Sequence, residues 1–407
     1  MTDASADDLD ALFAPLRHAF HIPEGLIYLD GNSLGPLSYA ARERAAEVVE
    51  REWGGSLIGG WNDHGWVDLP ERVGDRIAGL IGAAPGSVVC ADSISVNLFK
   101  LLAAALDMRP GRDVILSDEG NFPTDLYMAE GLVGLRGRGR LRTVPRAEVV
   151  DAIDDGVAVV MLTEIDYRTG HRLPMRAVTE AAHAAGAVML WDLAHSAGAF
   201  PVDLAGSGCE FAVGCGYKYL NGGPGAPGFL YVRPDLIGDV RPALSGWFAH
   251  AAPFAFEPGF RPAPDIARMR VGTPPVLSMA CLDAALDLFG GVDLEAIWAQ
   301  AQRLSALFVE EVERQAPPGA LRLASPRDPS ARGSQVSFAC ENGYAVMRAL
   351  IAEGVVGDFR APDLIRFGFT PLYLSEAEVR QAAATLADVL ATGSWDRPEH
   401  HARAKVT

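Results

Sequence analysis

From about residue 78 to residue 232 the chain alternates short, continuous apolar runs with stretches whose apolar residues recur at helical spacing. The run VAVVMLTEI (157–165) is apolar at consecutive positions and bounded by polar residues, the pattern of a strand covered on both faces. AVMLWDLAHSAG (187–198) has the same texture, and DVILSDEGNF (113–122) reads as a strand leaving through a loop. Between them, VNLFKLLAAAL (96–106) and MRAVTEAAHAAG (175–186) read as helices, the second ended by glycine. Strand, helix, strand at this spacing predicts an α/β fold, a mostly parallel sheet with helices on both faces. In such sheets ligands collect beyond the carboxyl ends of the strands, where Asp118, Thr163 and Asp192 fall.

The texture changes after about Pro253. The stretch 251–275 (AAPFAFEPGFRPAPDIARMRVGTPP) is rich in proline and glycine, a poor helix and a plausible linker. Two amphipathic helices follow, over about 276–289 and 294–315, then short strands in GSQVSFAC, VVGDFR and LIRFGF and a helix in SEAEVRQAAATLADVLA. That order predicts a smaller α+β domain. The division expected is an N-terminal segment 1–50 packing with the small domain, a large domain 51–265, a small domain 266–393 and a flexible tail 394–407.

Composition narrows the function classes. Hydrophobic residues make up 49% of the 407 and charged ones 21%, as in a globular protein with a large core. Thirty-five basic against 52 acidic side chains give a net charge of −17, which repels nucleic acid and anionic lipid and makes neither a partner. Cys90, Cys209, Cys215, Cys281 and Cys340 show no metal-ligand spacing, so no metal is expected and reduced thiols are. The acidic start lacks a signal peptide's basic and apolar regions, and no run is long enough to span a membrane. A soluble, cytoplasmic protein is the expectation.

The chemistry starts from GCGYKYLNGGPGAPGFLYV (214–232), in which Lys218 stands between two tyrosines and is framed by glycines. The ordinary reading of a lysine is a solvated surface side chain; the alternative is an amine able to form a Schiff base. Asp192 closes an apolar strand, where a carboxylate is costly unless a cation or donor meets it. Together they match pyridoxal 5′-phosphate, with a lysine to carry the aldehyde and a carboxylate to keep the ring nitrogen protonated. Ile94, Ser95 and Asn97 read as standing just before a helix, where free N–H groups favour a phosphate. Phe122 could stack on a flat ring, and His195 could brace Asp192 or the phosphate. Taken singly, each of these residues is as readily structural.

In this order the pieces resemble the kynureninases, pyridoxal-phosphate hydrolases of the aspartate-aminotransferase fold (fold type I). The resemblance runs from YLDGNSLGPLS (28–38) to LIRFGFTPLY (364–373) and is carried by NFPTD, YRTGH, WDLAHSAGAFPVDL, the lysine motif and GWFAH. It implies Lys218 as the Schiff-base lysine, Asp192 on the pyridinium nitrogen, His195 supporting the cofactor and Phe122 stacked on the ring, with Pro123, Thr124 and Asp125 beside it. Thr163 would sit at the ring edge, Ile94 and Ser95 at the phosphate, and Tyr217 at the phosphate and in proton relay. Trp247 and Thr273 would complete the cofactor site from the other subunit of a homodimer. Arg366 would hold the substrate carboxylate with a bidentate fork, while Asn32, Trp61 and His64 would line the substrate pocket. The implied reaction is hydrolysis of L-kynurenine to anthranilate and L-alanine in tryptophan catabolism. Gly272-Thr273 resembles the bacterial type, which prefers kynurenine to 3-hydroxykynurenine. The competing reading on the same fold is a cysteine desulfurase or class V aminotransferase. A desulfurase needs a nucleophilic cysteine on a mobile loop, and Cys340 in VSFACENG looks like packing instead. A non-catalytic binding protein on a borrowed fold is disfavoured by the intact lysine, aspartate and arginine set.

Overall fold

The computed structural model describes residues 6–403. Its centre is a seven-stranded sheet in the order Val88–Cys90, Gly228–Val232, Phe211–Cys215, Val188–Asp192, Val157–Thr163, Val114–Asp118, Arg140–Val144. The last five strands of that order are mutually parallel. Gly228–Val232 runs antiparallel to both of its neighbours.

Successive side chains of a strand point to opposite faces, and here both faces are dry. Val89, Ile115, Val159, Met161, Leu190 and Val213 enter one apolar cluster beneath the helices Ile94–Met108 and Pro123–Arg136. Leu116, Val160, Met189, Trp191 and Ala212 enter the other. That is why the runs are apolar at every position rather than at alternate ones. The exception is the edge strand Arg140–Val144 (RLRTV), which has no fully buried residue.

A second, antiparallel sheet takes the order Arg322–Leu323, Gln335–Ala339, Leu364–Gly368, Asp358–Arg360, packed with the helices Leu294–Gln315, Gly343–Ala352 and Glu376–Thr392. Ser375 and Glu378 open the helix Glu376–Thr392 with a capping box. The N-terminal segment reaches this region: Ile27–Tyr28 pairs in parallel with Val355–Val356, and the Gly368 N–H donates to the Leu29 carbonyl at 2.6 Å.

Two expectations change. Residues 251–275 are not a free linker. Proline and glycine leave only short helical turns, but Ala263, Ile266 and Met269 are buried, and Arg270 is anchored by Glu71 at 3.0 Å and lies over the Phe248 ring. The expected tail from 394 contains a helical turn, Pro398–His401, with His400 buried and Ala402 accepting from the Tyr344 hydroxyl at 3.1 Å. Residues 404–407 of that tail lie outside the described residues.

Candidate active site

Strand ends build the site. Thr163 and Asp192 are register partners at the carboxyl ends of adjacent central strands, and the chain after Phe211–Cys215 delivers Tyr217 and Lys218 beside them. These residues line a cavity of about 240 Å³ with Ser93, Ile94, Ser95, Phe122, Thr124, Asp125, Tyr167, Ala194, His195, Cys215, Ala226 and Gly228. The lysine loop turns through Gly223 and Gly225 at φ of 82° and 77°, which favours glycine at both. Gly228 has its own reason: a Cβ there would stand 3.0 Å from the Ile94 nitrogen, at the helix end that faces the cavity.

Lys218 is half-buried, and its Nζ lies 3.5 Å from His195 Nε2 and 5.9 Å from the centres of the Phe122 and Tyr217 rings. Asp192 is buried and accepts from the Ala194 N–H at 2.7 Å. Burial pushes its carboxyl up, against the pull of Lys218 and that N–H. Asp125 is also buried, and neither of its oxygens has a hydrogen-bond partner. Burial and then the charge of Asp192 push it well above the carboxylate range. His195 is held neutral, first by burial and then by the charges of Lys218, Arg366 and Arg360, and its Nδ1 has no partner. Burial also raises the Tyr217 hydroxyl, keeping it protonated.

The arrangement fits pyridoxal phosphate. Two facing buried carboxylates with one N–H between them need a cationic donor, which a pyridinium nitrogen is. Ser93 caps the helix Ile94–Met108 through the Val96 N–H. The N–H groups of Ile94 and Ser95, in the first turn, have no partner within the helix, the condition under which a helix end favours an anion. Phe122 offers a ring face and is fixed behind by Tyr167, centroids 5.3 Å apart and edge-on. Asn121 sets both walls: it accepts from the Phe122 N–H at 2.8 Å and from the Thr163 hydroxyl.

Thus Ile94, Ser95, Phe122, Thr124, Asp125, Thr163, Asp192, His195, Tyr217 and Lys218 come together as read from the sequence, with Pro123 opening the helix beside Phe122. Six others, Asn32 and Arg366 among them, do not line this cavity. Trp247 is 40% exposed and stacks among Phe248, Phe254 and Phe256, and Thr273 is exposed. Trp61 packs on Trp66 and Phe248, and His64 bonds to Ser56 at 2.9 Å, so the aromatic wall exists but is continuous with Trp247.

Arg366 is 1% exposed, and its fork is taken by Asp358, with Nε donating to Oδ1 at 2.9 Å and Nη2 to Oδ2. Nη1 donates to the carbonyl of Tyr167, a cavity residue. With its amide oxygen turned to the guanidinium, Asn32 accepts from Arg366 at 2.9 and 3.1 Å. Sequence reading missed Tyr167, Asn121 and Asp358. The first two lay inside quoted motifs, but Asp358 becomes visible only through cross-strand register, which sets both Asp358 and Ser337 opposite Arg366.

All five cysteines are free, and burial raises every thiol, Cys340 included. Cys340 is 5% exposed just past a strand end, the opposite of an activated nucleophile.

Known proteins share this fold. The apo cysteine desulfurase of Thermococcus onnurineus NA1 superposes with a TM-score of 0.78 at 18% identity, covering 93% of this chain and 98% of that one, a likeness of fold. A lyase variant with glycine covalently linked to its pyridoxal-phosphate cofactor gives 0.77 at 20% identity, covering 91% and 99%. The kynureninase C-terminal domain model matches residues 297–386. Kynureninase from Burkholderia pseudomallei (strain 1106a) is 50% identical over 411 residues, covering 100% of this chain and 99% of the relative. The Pseudomonas fluorescens enzyme is 48% identical with the same coverage. With half its residues shared from end to end, and the lysine cavity intact, the chain belongs to the kynureninase family.

Proposed function

We propose that this chain hydrolyses L-kynurenine to anthranilate and L-alanine with pyridoxal phosphate held on Lys218. The observation that carries the reading is the cavity in which Lys218, Asp192, His195 and the Ile94–Ser95 helix end converge, in a chain half identical to kynureninases. When bound, the cofactor supplies the electron sink for the bond-breaking steps. The residues do the rest. Ile94 and Ser95 would hold the phosphate by N–H groups, Phe122 would cover the ring, and Asp192 would hold the positive nitrogen. Lys218 Nζ moves the proton of the substrate α-carbon. Tyr217, protonated and at the cavity wall, donates at the reacting oxygen or carbon. Arg366 orients the α-carboxylate. The Cβ–Cγ bond breaks, the oxygen of one water ends on the acyl carbon, and Cβ gains a proton.

The position of Trp247 and Thr273 outside their own cavity, with Trp247 against Phe254 and Phe256 at 55% and 75% exposure, supports a homodimer in which they complete the neighbour's cofactor site and Trp61 and His64 line its substrate pocket. Free thiols and the absence, among the described residues, of a helix able to cross a membrane fit a cytoplasmic enzyme. Incubation with L-kynurenine is expected to yield anthranilate and alanine in equal amounts. Sulfur release from cysteine without anthranilate would overturn the assignment. Mixing inactive Lys218→Ala and Trp247→Ala chains under subunit exchange tests the sharing. Recovered activity is expected from one pocket of the mixed dimer, and none, with exchange proven, places Trp247 in its own subunit's site.

A further inference from the structure

Four charged groups meet where the N-terminal segment crosses the small sheet. Asp358 is shared by two guanidinium groups, Arg366 on the facing strand and Arg360 two residues on, whose Nη2 lies 2.7 Å from Oδ2. Ser33 knits them together, donating to Asp358 at 2.7 Å and accepting from Arg366 at 2.9 Å and Arg360 at 3.0 Å. The fourth group is Asp30, three residues before Ser33. Its Oδ1 is buried and accepts no hydrogen bond, and among the described residues it has no ion-pair partner.

With both carboxyls ionised the cluster carries two positive and two negative charges and offers no net attraction to an anion. With Asp30 protonated it carries one positive charge, which an incoming carboxylate would neutralise. We propose that Asp30 is a proton-coupled positioning residue: it takes up a proton when the substrate α-carboxylate reaches Arg366, so that carboxylate binding weakens as Asp30 ionises. This rests on the reading of Arg366 as the carboxylate site.

The surroundings agree. Burial and the charge of Asp358 push Asp30 up to about 7, against the pull of Arg366 and Ser33. Asp358 stays ionised, because Arg366 and Arg360 outweigh its burial. The other titratable groups facing Asp30 are Tyr28, Tyr219 and Tyr373, all raised by burial and neutral throughout. A raised acid is protonated below its folded pKa, so the favourable state is present below about pH 7 and is lost above it.

The test is the affinity of the holoenzyme for L-alanine, read from cofactor absorbance between pH 6 and pH 8.5, in the wild type and in Asp30→Asn. The two should agree within about twofold at pH 6. At pH 8 the wild type should bind about tenfold more weakly, the ratio one pH unit above the pKa implies. Asp30→Ser should match Asp30→Asn, and Asp30→Glu should restore the wild-type slope. Alaninamide, which lacks the carboxylate, should give the same profile in all variants. Parallel alanine profiles in wild type and Asp30→Asn overturn the proposal while leaving Arg366 untouched. If Arg366→Lys fails to weaken alanine relative to alaninamide, the carboxylate site itself is misplaced.

Discussion

Two lysines are withdrawn from the surface of the large domain, and they are held in opposite ways. Lys100, in the middle of the helix Ile94–Met108, is fully buried and tied at 2.8 Å to Asp92 and at 2.6 Å to the Met269 carbonyl. Burial pushes its ammonium below the ordinary range and Asp92 pulls it back. Lys218, by contrast, has no carboxylate within ion-pair distance among the described residues, and its nearest polar partner, His195, stands at 3.5 Å. A tether such as that of Lys100 offsets the cost of burying an ammonium and keeps it in place. Lys100 therefore fastens the turn before the cavity-facing helix end to the 266–269 segment. Lys218, half-buried and loosely held, remains available for chemistry.

If the contrast is right, the largest effect follows from the loose lysine. Lys218→Ala should abolish the borohydride-reducible adduct with the cofactor and lower turnover by more than about a thousandfold, in line with loss of a covalent and proton-transfer group. A reducible adduct in that variant would move the chemistry to another amine. Next comes the tethered lysine. Lys100→Met should destabilise the fold by about 2–3 kcal/mol, the scale of a broken buried pair with one partly exposed partner, as measured by denaturant unfolding. The cofactor should remain attached and turnover at saturating cofactor should stay within about threefold. A catalytic collapse in a folded Lys100→Met would erase the distinction.

Both lysines are plain in the sequence, but only one announces itself. The tyrosine–lysine–tyrosine motif is local, and local chemistry is legible. VNLFKLLAAAL reads as an apolar helix with one polar interruption, and nothing nearby reveals a carbonyl 169 residues away as its acceptor. The same division runs through the fold. Doubly covered strands show themselves as continuous apolar runs, and their ends place Thr163 and Asp192 correctly. The edge strand Arg140–Val144 carries two arginines and a threonine because solvent meets it, so hydrophobic pattern alone does not reveal it. Asp358 stands only eight residues before Arg366, but what sets it opposite the guanidinium is the register of two antiparallel strands across a turn, which a residue pattern does not display. Trp247 and Trp61 were legible as aromatic residues in unusual company, but not as one cluster, because Phe248 joins them only after the chain has folded.

The small sheet also grips the loop that carries Tyr167. Gln335 donates at 3.1 Å to the carbonyls of both Asp166 and Tyr167, Ser337 donates to that of Arg168, and Arg366 shares the Tyr167 carbonyl. On the far side of the same residue its ring braces Phe122. A swing of one sheet relative to the other must either carry this loop along or break several bonds at once. The Tyr167 loop is therefore a latch between the two sheets: the amide hydrogens of Arg172 and Gly333, which donate across the same junction to the carbonyls of Ala331 and Gly170 at 2.9 Å, should exchange with solvent only as that junction opens.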